Sequence, residues 1–201
     1  MKLPSILSRR ALSLLAFTVA ACSADPTGPS VASPKMDFNA FLAKHSSSSV
    51  VGVLERTDVL KKNITVSATI SKKGGTIEIK DAGVTLVVPA NALNGASSMT
   101  FTVTALAGNA VAYEFGPHGT TFSAPLTIVQ ELKKTSWNKV KDLSGLEGAY
   151  FADQAQLSLD GTLAAVDEFR PTLVELDKNK VSFTVDHFSG YLISSGRTVT
   201  R

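Results

Sequence analysis

Cysteine is almost absent from this chain: Cys22 is the only one in 201 residues. A lone thiol closes no internal disulfide, so packing and hydrogen bonding must hold the fold. Histidine is nearly as scarce. His45, His118 and His187 lie far apart in sequence, and no His-x-x-x-His or cysteine pair suggests zinc. The phosphate-cradling loop, the dinucleotide glycine fingerprint and the G-x-S-x-G elbow are all missing. Asp160 with Gly161 reads as a turn, because the other carboxylates of a calcium loop are lacking. No catalytic residues for an external substrate are expected, and no metal or cofactor.

Long apolar runs are lacking too. The run from Ala11 to Ala20 is too short to cross the ~30 Å of bilayer hydrocarbon as a helix. With Lys2, Arg9 and Arg10 before it, the run has the proportions of a signal-peptide core. Of the 20 basic residues those three fall in this leader, which leaves 17 basic against 17 acidic residues. No excess of positive charge remains to suggest nucleic acid. The leader ends in "VAAC", which resembles the lipobox of bacterial lipoproteins. That resemblance implies cleavage after residue 21, diacylglyceryl transfer to the Cys22 thiol and membrane anchoring through palmitate-like chains. Ser23 follows, where some inner-membrane lipoproteins carry aspartate, so outer-membrane placement is expected. "SRRAL" also resembles a twin-arginine export signal, and an ordinary export signal fits it equally.

Residues 22–62 read as the lipidated cysteine and a Pro- and Ser-rich tether. Within them Phe38, Phe41 and Leu42 have the spacing of a short helix. From Asn63 the apolar period becomes two. "NITVSATIS" and "MTFTVTAL" place Ile64, Val66, Ala68, Ile70 and Phe101, Val103, Ala105 on one face, with threonine and serine on the other. About ten short strands follow one another to residue 195, with no convincing long helix and a short tail over 196–201. The fold class expected is all-β, an antiparallel β-sandwich.

"GGTIEIKDAGVTLVVPANAL" followed by "YEFGPHGTTFSAPLTIVQEL" resembles the ZU-five domain, the β-sandwich module of ankyrins, netrin receptors and zonula occludens proteins. The match runs over about residues 64–134. Gly74, Gly75, Pro89, Pro117, His118 and Gly119 are its turn residues, and they read as folding constraints, with the His118 imidazole expected to satisfy backbone carbonyls. The resemblance implies a scaffold or interaction module. In some relatives His-Phe-Ser is a self-cleavage site, and this chain has His187, Phe188 and Ser189 in that order. There, Ser189 Oγ would attack the Phe188 carbonyl with His187 as base. The competing reading of "VSFTVDHFSGYLISS" is a half-buried strand with core aromatics. Only thirteen residues, Ser189 to Arg201, lie downstream to be released. The function expected is therefore a non-catalytic, lipid-anchored envelope module binding a protein or cell-surface polymer, with self-cleavage at Phe188–Ser189 as the alternative.

Overall fold

The computed structural model describes residues 38–44 and 49–197. Cys22, His45, the leader, residues 23–37 and 45–48 of the tether and residues 198–201 lie outside them. One seven-residue helix, α1 (Phe38–Lys44), precedes the strands. The strands are β1 (Ser49–Val53), β2 (Glu55–Leu60), β3 (Ile64–Ser71), β4 (Gly75–Ile79), β5 (Val84–Val88), β6 (Ser98–Ala105), β7 (Gly108–Ala110) and β8 (Ala112–Gly116). They continue as β9 (Thr121–Glu131), β10 (Leu146–Phe151), β11 (Leu163–Val166), β12 (Glu168–Arg170), β13 (Thr172–Glu175), β14 (Lys180–His187) and β15 (Gly190–Arg197).

Every strand pairing is antiparallel, as a sandwich of hairpins and crossovers requires. The larger sheet runs β11-β1-β15-β8-β6-β3, with β10 on the other side of β15 and β12 beyond it. The smaller sheet runs β13-β14-β9-β5-β4, and β2 forms a two-stranded sheet with β7. Between the sheets lies the main apolar cluster, which includes Leu86, Phe101, Phe115, Ile128, Phe183, Phe188 and Tyr191. A second cluster, with Val51, Val53, Ala149, Phe151 and Leu192, packs separately.

Alternation explains β3 and β6. Their outward hydroxyls form matched pairs, Thr65–Thr104 at 2.9 Å, Ser67–Thr102 at 3.1 Å and Thr69–Thr100 at 2.9 Å, while Phe101, Val103 and Ala105 are buried. In the eleven-residue β9 the register against β14 shifts between Val185 and His187, opposite the stretch holding Pro125. Proline has no N–H to give the ladder, so an interrupted pairing there follows from its chemistry.

The sandwich begins earlier than the sequence reading places it. β1 and β2 occupy Ser49–Leu60, inside the stretch assigned to the tether, and β1 pairs with both β11 and β15. Its burial does alternate, with Val51 and Val53 buried and Val50 and Gly52 half-buried, but the half-buried positions carry valine and glycine, so no apolar–polar alternation marks the strand in sequence. At the other end β15 takes up the first residues of the expected tail. Among the described residues there are fifteen strands where about ten are expected. Several of the added ones are only three or four residues long.

Two buried polar groups brace this frame. Arg56 on β2 is 5% exposed and donates to the carbonyls of Leu106, Ala110 and Ala112, with its guanidinium 5.3 Å from the Tyr113 ring centre. It thereby fixes the "LAGNA" loop as β7. Tyr113 in turn donates to the Gln130 side chain. Burial pushes the Tyr113 phenol up to about 12, with the Arg56 charge and hydrogen bond opposing.

Two predictions follow from this packing. A Cβ at Gly148 would lie 2.3 Å from the Phe183 ring, and one at Gly190 would lie 2.3 Å from the Phe151 ring. Gly148→Ala and Gly190→Ala should each lower stability by about 1–3 kcal/mol in urea unfolding, as overpacked cores do. Tyr113 holds its proton more tightly in the folded chain than in the unfolded one, where it titrates near 10.0. Its contribution is complete below that value and is lost as pH rises toward about 12. Denaturant midpoints measured across this window should fall, and Tyr113→Phe should flatten the fall.

Candidate functional site

The residues singled out by sequence gather at two backbone clasps. In the first, Gly74 has φ of +79° and packs so tightly that a Cβ there would lie 2.3 Å from the Val88 carbonyl, just before Pro89. Only glycine satisfies both conditions. Asn91 N–H donates to the Lys72 carbonyl at 2.8 Å and completes the clasp between the glycine turn and the proline bend. Gly75 opens β4 beside Ile70.

The second clasp joins the "PHG" bend to the "HFS" bend. Gly119 N–H donates to the Phe188 carbonyl at 3.0 Å, and Phe188 N–H donates to the Thr120 carbonyl at 2.8 Å. Phe115 N–H donates to the Ser189 carbonyl at 3.0 Å. Pro117 accepts from the Thr120 hydroxyl at 2.7 Å, which shapes the bend from within. Between the clasps, Ser123 donates through its amide to Ala92 and through its hydroxyl to Asn91. A continuous chain of bonds therefore runs from the glycine turn to Ser189.

His118 differs from its expected role. The residue is exposed, and among the described residues no hydrogen bond involves its ring. Backbone amides and the Thr120 hydroxyl satisfy the bend instead, so the imidazole is not needed there.

Phe188 has no exposed surface. Its ring meets Phe101 at 4.9 Å and Phe122 at 4.7 Å edge-on, and stacks on Phe115 at 5.7 Å. These are the offset and edge geometries that aromatic rings favour. Ser189 is 7% exposed.

His187 sits where β14 ends, opposite Thr121. Its Nε2 lies 3.1 Å from Arg170 Nη2, and its Nδ1 lies 3.3 Å from the Tyr191 hydroxyl. A guanidinium only donates, so Nε2 accepts and the ring proton belongs on Nδ1. The tyrosine hydroxyl can receive that proton's bond because its own hydrogen goes to the His187 carbonyl at 3.0 Å. Arg170 is further held by Glu168 at 3.2 Å and Asp186 at 3.1 Å. Burial pushes the Tyr191 phenol well above its ordinary range, with the Arg170 charge opposing. Among the described residues no hydrogen bond joins His187 to the Ser189 hydroxyl. The Arg170–His187–Tyr191 network is a feature that sequence reasoning missed: Arg170 comes from a three-residue strand with no periodic signal.

A cleft of about 800 Å³ is lined in part by Glu55, Lys139, Lys141, Asp142, Glu147 and Thr162, and by no residue of either clasp. Its charges are mixed and it presents no histidine or cysteine. Among the described residues no cluster of three or more His, Cys, Asp or Glu could hold a metal ion. No helix among them is long and apolar enough to cross a membrane.

Phe188→Ala should cost about 3–5 kcal/mol in equilibrium unfolding, the penalty of emptying a tight aromatic site. His118→Ala should stay within about 0.5 kcal/mol of the parent, as exposed substitutions do.

Compared with protein-family models and with curated proteins, the chain matches none. The ZU-five and lipobox resemblances rest on the quoted residues.

Proposed function

We propose that this chain is a lipid-anchored, non-catalytic module of the bacterial cell envelope. It is held to the membrane by acyl chains on Cys22, in the outer membrane by the Ser23 criterion, and binds a protein or a cell-surface polymer through loops and strand edges. The observation that carries the non-catalytic reading is the occupancy of His187: both ring nitrogens have partners other than Ser189. The motif residues support it as well, since Gly74, Pro89, Pro117, Gly119 and Phe188 spend their geometry on holding bends together. The anchor rests on the leader and lipobox, which lie in sequence outside the described residues.

A second reading, self-cleavage, is favoured by one contact. Gly119 N–H already points at the Phe188 carbonyl oxygen, where negative charge would develop as Ser189 Oγ adds to the carbon. The C–N bond of Phe188–Ser189 would then break, leaving an ester that water hydrolyses to a free carboxylate and hydroxyl. That route also needs a base on the Ser189 proton, and His187 is engaged elsewhere.

Intact mass of the mature chain carrying Cys22→Ser, read under denaturing conditions, separates the two. A single full-length species is the expected result. Loss of the thirteen residues from Ser189 to Arg201, abolished by Ser189→Ala, makes the chain self-processing. Metabolic labelling with a palmitate analogue should mark the wild-type chain and leave the Cys22→Ser chain unmarked. Equal labelling of both would remove the anchor from the reading.

A further inference from the structure

One edge of the larger sheet is open to a further strand. β3 is its last strand, and among the described residues Ile64–Ile70 pair on one side only, with β6, while Ser71 also bridges to Gly74 at the turn into β4. That pairing runs through eight consecutive residues with no shift of register. Along Ile64–Ile70 the free side is therefore long and unbulged. Within "ITVSATIS" there is no charge, no proline and no glycine. Unpaired N–H and C=O groups along such an edge are a template for another strand, and proteins ordinarily blunt them.

The other edges are blunted. β13 is four residues long, entered through Pro171 and ended by Glu175. β11, also four residues, is covered by the bridge from Leu157 to Ala164 and by Ser158 N–H on the Leu163 carbonyl. β4 is five residues long and carries Glu78. β3 has no such device inside it. Its charges lie just outside: Lys61 and Lys62 before, Lys72 and Lys73 after. All four are exposed, and among the described residues none has a carboxylate within ion-pair distance.

A second copy of the chain is the first occupant to consider. Residues 64–70, "ITVSATI", nearly repeat in reverse about Ser67. An antiparallel self-pairing centred there keeps Thr65 opposite Thr69 and Ile64 opposite Ile70, so both faces match. It also brings Lys62 to Lys72 and Lys61 to Lys73 at each end. Four lysines gathered twice, with no counter-charge, oppose that dimer.

The same lysines specify another occupant. We infer that the β3 edge receives, by strand addition, an extended segment of a partner protein. Its core alternates hydroxyl-bearing and β-branched apolar residues, and acidic residues bracket it at both ends. The backbone ladder supplies affinity and the alternation sets the register. Apolar side chains of the added strand cover the open flank of Ile64, Val66 and Ala68, which are only half-buried. Its hydroxyls extend the rows already formed by Thr65, Ser67 and Thr69 with β6. This rests on the binding reading above and names the partner's chemistry.

The test uses the mature Cys22→Ser chain and fluorescent peptides. The peptide EDTVTVTIDE should bind, weakening as salt rises, and should slow amide exchange in β3 while leaving β13 unchanged. KKTVTVTIKK should bind about tenfold less tightly, the sum of a few exposed ion pairs. N-methylation of alternate core amides in the first peptide should abolish binding. A chain carrying Lys61→Glu, Lys62→Glu, Lys72→Glu and Lys73→Glu should invert the preference. Absence of binding, equal binding of the two peptides, or survival of binding after N-methylation overturns the inference. So does a dimer in sedimentation with β3 protected, which gives the edge to a second copy. If a captured envelope protein protects residues elsewhere, the edge assignment falls and the binding reading stands.

Discussion

Tyr191 and Ile193 belong to the apolar cluster between the sheets, while Leu192 between them belongs to the second cluster. β15 is thus packed on both faces, and its edges are bonded to β10 on one side and to β8 and β1 on the other. The rest of the sandwich is arranged around that double burial. Gly148 and Gly190 lack side chains where Phe183 and Phe151 lie against the sheet. Arg56 reaches across from β2 to tie down the loop before β8, the strand next to β15. The bend at Phe188 and Ser189 is the entry to this strand, so its clasp with Gly119 and Phe115 fixes where β15 begins.

Legibility in sequence followed burial geometry. β3 and β6 bury one face each, so a two-residue period reveals both the strands and their inward residues, and β5 stops at Pro89 for the reason a proline stops a strand. β1 buries Val51 and Val53 but has valine and glycine at the half-buried positions, so its sequence shows no polar alternation and the sandwich begins within the expected tether. The three-residue strand β7 is fixed by tertiary contacts, the Arg56 bonds among them, which no local window of sequence contains. At the candidate site the glycines and prolines were readable, because turns depend on local torsion. The Arg170 network was not, since it joins residues from β12, β14 and β15 that only the fold brings together.

The polar surface of β3 and β6 has its own physical logic. Each of its three hydroxyl pairs lies directly across the ladder, so one group's donor meets its neighbour's acceptor without bending the sheet. A face built this way carries no charge, and adding a strand beside it requires no rearrangement of these hydroxyl pairs. Exposed lysines at the two ends guard it against identical copies more than against everything else, because like charges repel whereas acidic segments are drawn in. Edge chemistry and charge together therefore discriminate among partners even where the strand itself carries no charge.

The same arrangement limits what a break at Phe188–Ser189 could accomplish. The residues after it begin β15, bonded along β10, β8 and β1, with Tyr191, Leu192 and Ile193 wholly buried. Severing one peptide bond removes none of those contacts, and a strand at the centre of a sheet dissociates only with the cores it joins. Cleavage would therefore be silent under native conditions, changing covalent connectivity while leaving the folded surface in place. A signal carried by release would need the freed segment to sit at an edge, and here it sits in the middle. Binding at the sheet's outer strand would make no such demand, because it would leave the centre closed.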